Sequence, residues 1–209
     1  MLLDERGANS EGTAKLVERC STLGIRIEYA SRALQRISSK DNCFAAMEFC
    51  KADACDPIMP DRPHVALVQP SDQGNLGSIL RSLVGFGLPD LAVIGRAADI
   101  LDPHVVRASM GALFSMRLGQ FASFDEYRVL FPGHALFPFM LDGSVPLPVA
   151  ASEHPALFSL IFGNEGAGLP PEFAQLGQPV RIPQSNAIDS LNLAVAVSVG
   201  VYAFIQGGL

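Results

Sequence analysis

The sequence predicts an α/β fold, with a parallel sheet over residues 59–209 and a small α/β segment over 1–58. Three observations carry this. Short apolar runs recur between helical stretches in the second part, the pattern of buried parallel strands with helical crossovers. The segment KADACDPIMPDRP (51–63) holds three prolines and three aspartates and interrupts all periodicity, so it reads as a linker. A chain of 209 residues with 49% hydrophobic side chains is long enough for a sizeable core.

The elements follow in order. In the first part, SEGTAKLVERCSTLG is helical, with Ser10 as cap and Gly24 as stop. IRIEYA alternates as a strand, RALQRIS is a short helix and CFAAMEF a strand. The opening MLLDERG begins abruptly, as though an upstream element were missing. In the second part HVALVQP (64–70) is a buried strand, SDQGNLG a turn and SILRSLVGF a helix stopped by Gly87. LAVIG (91–95) is a strand, and Asp102-Pro103 opens a helix. SFDEYRVL is helical, HALFPFML and LFSLIFG are strands, PPEFAQLG is a short helix and PVRIP a strand. The final SLNLAVAVSVGVYAFI is long enough for a buried helix, with Asp189 and Ser190 at its start.

Composition removes several classes. Disorder, collagen and coiled-coil periodicity are excluded. The longest nearly apolar run, 193–205, falls short of the roughly 20 residues of a membrane span. The polar N-terminus is no signal peptide, which makes the cytoplasm the expected location. Cys20, Cys43, Cys50 and Cys55 form no C-x-x-C pair, so they read as reduced thiols and no metal site is expected. The net charge of −6 argues only mildly against a polyanionic partner, because a local arginine patch across a dimer can bind RNA despite an acidic total. Most of that charge lies in 61–209, where twelve acids face seven arginines and no lysine.

Three polar clusters interrupt the apolar pattern at strand ends, where open α/β sheets bind ligands. In NLGSILR (75–81), Gly74 and Gly77 permit a tight turn, Asn75 stands where it can cap the helix, and Arg81 lies about 1.7 turns on. FGNEGAGLP (162–170) puts three glycines between strand and helix, suited to close approach of a ligand, and matches neither a dinucleotide fingerprint nor a P-loop. In RIPQSNAIDSLNLAVA (181–196), Asn192 at the start of an apolar helix must find hydrogen-bond partners. Taken singly, each also fits a plain turn or helix cap.

Together, N-x-G-x-x-x-R, G-N-E-G-x-G-L and I-P-x-(polar loop)-S-L-N, in this order, resemble the three motifs of the SpoU (TrmH-like) RNA 2′-O-ribose methyltransferases of the SPOUT superfamily. RASMGALF (107–114) resembles the family's segment between the first two motifs, and the likeness spans roughly 63–206. The resemblance implies a C-terminal deep trefoil knot, S-adenosylmethionine bound bent within it, a homodimer, and tRNA or rRNA as substrate. It assigns cofactor contacts to Met140, Leu141, Gly163, Asn164, Gly168, Ile182, Gln184, Ser190 and Leu191. It assigns catalytic roles to Arg81, Asn75, Glu165, Ser190 and Asn192. Free guanidinium stays protonated, so Arg81 is read as orienting the 2′-hydroxyl and an adjacent phosphate. Gln184 departs from the methionine frequent in the family. Residues 1–58 resemble the later part of a ribosomal-protein-like RNA-binding domain. Arg62 and Arg107 are expected to join Arg81 in phosphate contacts. Two alternatives are a non-catalytic RNA-binding or assembly protein that keeps the fold, and a small-molecule enzyme binding a nucleotide at Gly163–Gly168.

Overall fold

Every residue from Asp90 to Ile94 and from Phe158 to Phe162 is buried, as strands covered on both faces require. The computed structural model describes residues 1–7, 10–38, 41–51 and 54–207. Linker positions 52–53 and Lys40 lie outside them. The chain divides into Met1–Lys51 and Ala52–Leu209, earlier than the expected boundary after residue 58.

The first unit has β1 (Leu2–Leu3), α1 (Glu11–Thr22), β2 (Glu28–Tyr29), α2 (Ser31–Ile37) and β3 (Ala45–Ala46). Strand order is β2-β1-β3, with β1 parallel to β2 and antiparallel to β3. Ser10 caps α1 by accepting from the Thr13 N–H, and Gly24 follows it at φ 66°. The expected strands IRIEYA and CFAAMEF shorten to two residues each, because the central strand offers only Leu2 and Leu3 for pairing.

The second unit contains β4 (His64–Val68), α3 (Gln73–Gly85), β5 (Asp90–Ile94), α4 (Pro103–Ala108), β6 (Arg117–Phe121), α5 (Phe124–Leu130) and β7 (Ala135–Pro138). Then come β8 (Val145–Pro146), α6 (Leu147–Ser152), β9 (Phe158–Phe162), β10 (Val180–Arg181) and α7 (Leu193–Gly207). The main sheet has order β6-β5-β4-β9-β7, all parallel, and β10 pairs in parallel with β8. One core cluster joins Leu76, Leu80, Val105, Leu160 and Val201; a second lies around Tyr127, Phe124 and Phe173.

Three local expectations change. The segment SDQGNLG is not a turn: α3 already begins at Gln73, because Asp72 takes the cap and accepts from the Asn75 N–H at 2.7 Å. Asn75 is therefore inside the helix. Gly77 does not turn the chain; it lets α4 approach α3, since an added Cβ would lie 2.3 Å from the Ala108 Cβ. At α7 the cap is Asn192, whose Oδ1 accepts from the N–H groups of Ala194 and Val195, in place of Asp189 and Ser190.

The described part of the linker is bound to the second unit. Leu118 N–H donates to the Asp56 carbonyl at 2.8 Å, and Met59 N–H to Asp90 Oδ1 at 3.1 Å. Buried Asp90 also pairs with the Arg117 guanidinium. His64 Nε2 donates to the Met59 carbonyl (2.8 Å), and its Nδ1 accepts from the Tyr127 hydroxyl (2.8 Å), which meets Ser159 Oγ (2.6 Å). Long proline-rich runs lack periodicity whether free or docked, so the sequence hides this anchorage.

Candidate active site

Because the five strands run one way, the segments after β4, β7 and β9 leave the same edge of the sheet. A cavity of about 630 Å³ opens there. The structure places Met140, Leu141, Gly163, Asn164, Gly168, Ile182, Gln184, Ser190 and Leu191 on its wall.

The glycine loop after β9 is held by its own backbone. Gly163 lies so close to Gly168 that an added Cβ would stand 2.1 Å from the Gly168 carbonyl carbon, and Gly168 adopts φ 69°. Asn164 Oδ1 accepts from the N–H groups of Gly166 and Ala167, and its Nδ2 donates to the Gln69 carbonyl at 2.9 Å. Gln69 itself has φ 52° and directs its side chain over Gly95.

Glu165 joins this loop to the start of α3. Its Oε2 accepts from Ser71 N–H (3.1 Å) and Ser71 Oγ (2.8 Å), and its Oε1 from Asp72 N–H (3.1 Å). Asn75 Nδ2 also donates to Oε1, at 3.4 Å. Burial pushes the carboxyl pKa up, but the backbone N–H groups of Glu165, Asp72 and Ser71 and the Ser71 hydroxyl outweigh it, so the net shift is downward. Glu165 is thus an anionic tie between two loops.

Asn192 closes the set: its Nδ2 donates to Asn75 Oδ1 at 2.9 Å while its Oδ1 caps α7. One residue from each motif therefore meets in a single network. Gln184 Nε2 donates to the Asp189 carbonyl at 3.4 Å, fastening the polar loop across its base. Here an amide does what a methionine cannot.

Arg81 is exposed on α3 and is not on the cavity wall. It lies about 9 Å along the helix axis from Asn75 and, among the described residues, makes no hydrogen bond or ion pair. Arg107 is also exposed. Arg62 precedes β4, so it lies at the edge of the sheet opposite the cavity. Sequence reasoning missed Arg181 and Asp142, both on the wall, and Ser71, whose backbone and hydroxyl hold Glu165. Ser71 carried a signal, as a polar residue directly after a buried strand.

Fold and site define a class: a parallel α/β protein whose ligand cavity is assembled from loops distant in sequence at the carboxyl ends of its strands. The chain belongs to the SpoU rRNA Methylase family, whose model matches residues 62–202. It is 32% identical over 166 residues to a 23S rRNA (uridine(2479)-2′-O)-methyltransferase of Streptomyces viridochromogenes, covering 72% of this chain and 54% of that protein. It is 31% identical over 134 residues to an uncharacterized tRNA/rRNA methyltransferase of Synechocystis, covering 63% and 48%. The chain thus spans about half the length of these two relatives. Among solved structures, the SpoU methyltransferase AviRb from Streptomyces viridochromogenes aligns with TM-score 0.77 at 26% identity, over 98% of this chain and 80% of that one. The same enzyme in complex with the cofactor AdoMet aligns with TM-score 0.75 at 25% identity, over 98% and 81%.

Proposed function

We propose that this chain transfers the methyl group of S-adenosylmethionine to a ribose 2′-hydroxyl of rRNA or tRNA. The observation that carries the proposal is the junction of Asn75, Glu165 and Asn192, one residue from each motif, beside a cavity of about 630 Å³, within the size range of small-ligand sites. The wall fits the cofactor. Ile182, Leu191 and Met140 offer apolar surface for a purine, and Asp142, Glu165 and Asp189 offer negative charge to a cationic ligand.

When bound, S-adenosylmethionine supplies an electrophilic methyl group on a positive sulfur. The chain's own residues do the rest. Glu165 and Asn192 hold the glycine loop, α3 and α7 in one arrangement, which fixes nucleophile and methyl in line. Ser190, with no hydrogen bond of its own among the described residues, is available to a ligand hydroxyl. Arg81, exposed on α3 beyond Asn75, orients the ribose hydroxyl and its phosphate through its guanidinium fork.

The finer architecture belongs to the same proposal. We assign a trefoil knot to the C-terminal segment. Its support is the tight passage of chain past chain: an added Cβ on Gly143 would stand 2.5 Å from the Val180 carbonyl carbon, and one on Gly177 2.1 Å from the Leu136 oxygen. We assign a homodimer through α7, where Val195 (48% exposed), Val199 (39%) and Tyr202 (54%) form an apolar face beside Phe86. The protein is assigned to the cytoplasm with its rRNA or tRNA substrate.

Incubation of the protein with methyl-labelled S-adenosylmethionine and bulk RNA tests the proposal. Label enters RNA with wild type and falls at least a hundredfold with Arg81→Ala. Equal transfer by both proteins removes Arg81 from the mechanism, and no transfer by wild type overturns the activity.

A further inference from the structure

The cavity wall carries four charged residues, Asp142, Glu165, Asp189 and Arg181. Three are acids, and Glu165 is already occupied by donors from α3 and its cap. Arg181 is the single cation. It follows Val180 in β10; Val180 is fully buried, and strand alternation turns Arg181 the other way, where it is exposed. Its backbone is fixed by the pairing of Val180 with Val145 and of Arg181 with Pro146, and the Val180 carbonyl accepts from Met140 N–H at 2.9 Å.

The other arginines with partners in this unit are engaged by acids, Arg117 by Asp90 and Arg128 by Asp125. Arg181 makes no hydrogen bond or ion pair among the described residues. An unpaired guanidinium presents up to five donors in a planar fork shaped for a carboxylate. No lysine occurs beyond residue 51 to compete for that role.

We propose that Arg181 holds the α-carboxylate of the cofactor's methionine moiety, with Asp142 or Asp189 facing its ammonium group. The inference rests on the cofactor proposed above, and it makes Arg181 a determinant of affinity for the amino-acid end of the ligand, separate from the purine wall.

The test compares two ligands by calorimetric titration. S-adenosylhomocysteine carries the carboxylate and ammonium; 5′-methylthioadenosine shares the adenosine and thioether but lacks both. Wild type binds S-adenosylhomocysteine more tightly. Arg181→Gln weakens S-adenosylhomocysteine about tenfold or more and leaves 5′-methylthioadenosine within twofold, which also certifies that the variant is folded. Arg181→Lys recovers part of the loss, because it keeps charge without the fork. An unchanged S-adenosylhomocysteine affinity in Arg181→Gln overturns the proposal, and so does an equal loss for both ligands. A loss confined to RNA binding also overturns it and reassigns Arg181 to a phosphate. If wild type binds neither ligand, it is the cofactor itself that fails, a different result from the failure of Arg181.

Discussion

Asn192 donates to Asn75 at 2.9 Å across 117 positions of sequence, and the same Asn192 caps α7 through its other amide atom. One side chain thus starts the C-terminal helix and ties it to α3. The two tasks separate by substitution. Asn192→Ser keeps a capping oxygen and loses the link; Asn192→Ala loses both. Thermal unfolding should cost Asn192→Ala about 1 kcal/mol and Asn192→Ser less, whereas methyl transfer falls sharply in both. Wild-type transfer by Asn192→Ser means the Asn75 link is dispensable.

Glu165 accepts from the Ser71 and Asp72 N–H groups and the Ser71 hydroxyl, donors that favour its charged form. Its pKa is lowered in the folded state, so its stabilising effect is present in full above the ordinary glutamate range and is lost as pH falls through the lower folded value. Glu165→Gln replaces an acceptor oxygen with an amide that faces other N–H groups. The variant loses cofactor affinity at neutral pH, and its stability depends less on pH in the acid range than wild type does, as pH-dependent melting curves check.

The His64 ring lies at the other edge of the sheet. Burial holds its pKa down at about 4, below the ordinary 6.5 of the unfolded chain. Between those values the unfolded chain binds the extra proton, so stability decreases as pH falls from 6.5 to 4 and the contribution is complete above that window. The loss amounts to roughly 2–3 kcal/mol. Denaturant midpoints at pH 7 and pH 4.5 measure it against His64→Gln, which lacks the titration.

Gly163 admits no side chain. Gly163→Ala forces the Gly168 backbone aside and should cost about 1–3 kcal/mol, with a loss of cofactor binding larger than the loss of stability. Val199 faces outward on α7. Val199→Glu should convert a dimer to monomer in sedimentation, with a wild-type far-ultraviolet spectrum.

Much of this site was legible from the order of three motifs, and the strands from runs such as LAVI and FSLIF. Local caps read well where the side chain acts on its own turn, as Ser10 and Asp102 do. The rest depended on tertiary partners. β6 (RLGQF) carries a charge at its first position, and only buried Asp90 makes Arg117 acceptable there. α6 (LPVAAS) is six residues with an internal proline, too short for a period to show. Asn192 takes the cap in place of Asp189 because α7 begins only at Leu193. Arg181 went unread in PVRIP, because only the loops that close the cavity give that strand residue a place on its wall.

The most direct measurement is mass mapping of methyl-labelled RNA after nuclease digestion, with purified protein and S-adenosylmethionine. The proposal requires label on the ribose of a defined nucleotide, released as a 2′-O-methylnucleoside, and its loss with Arg81→Ala. Label on a base, or none in any RNA while S-adenosylmethionine binds, would contradict it.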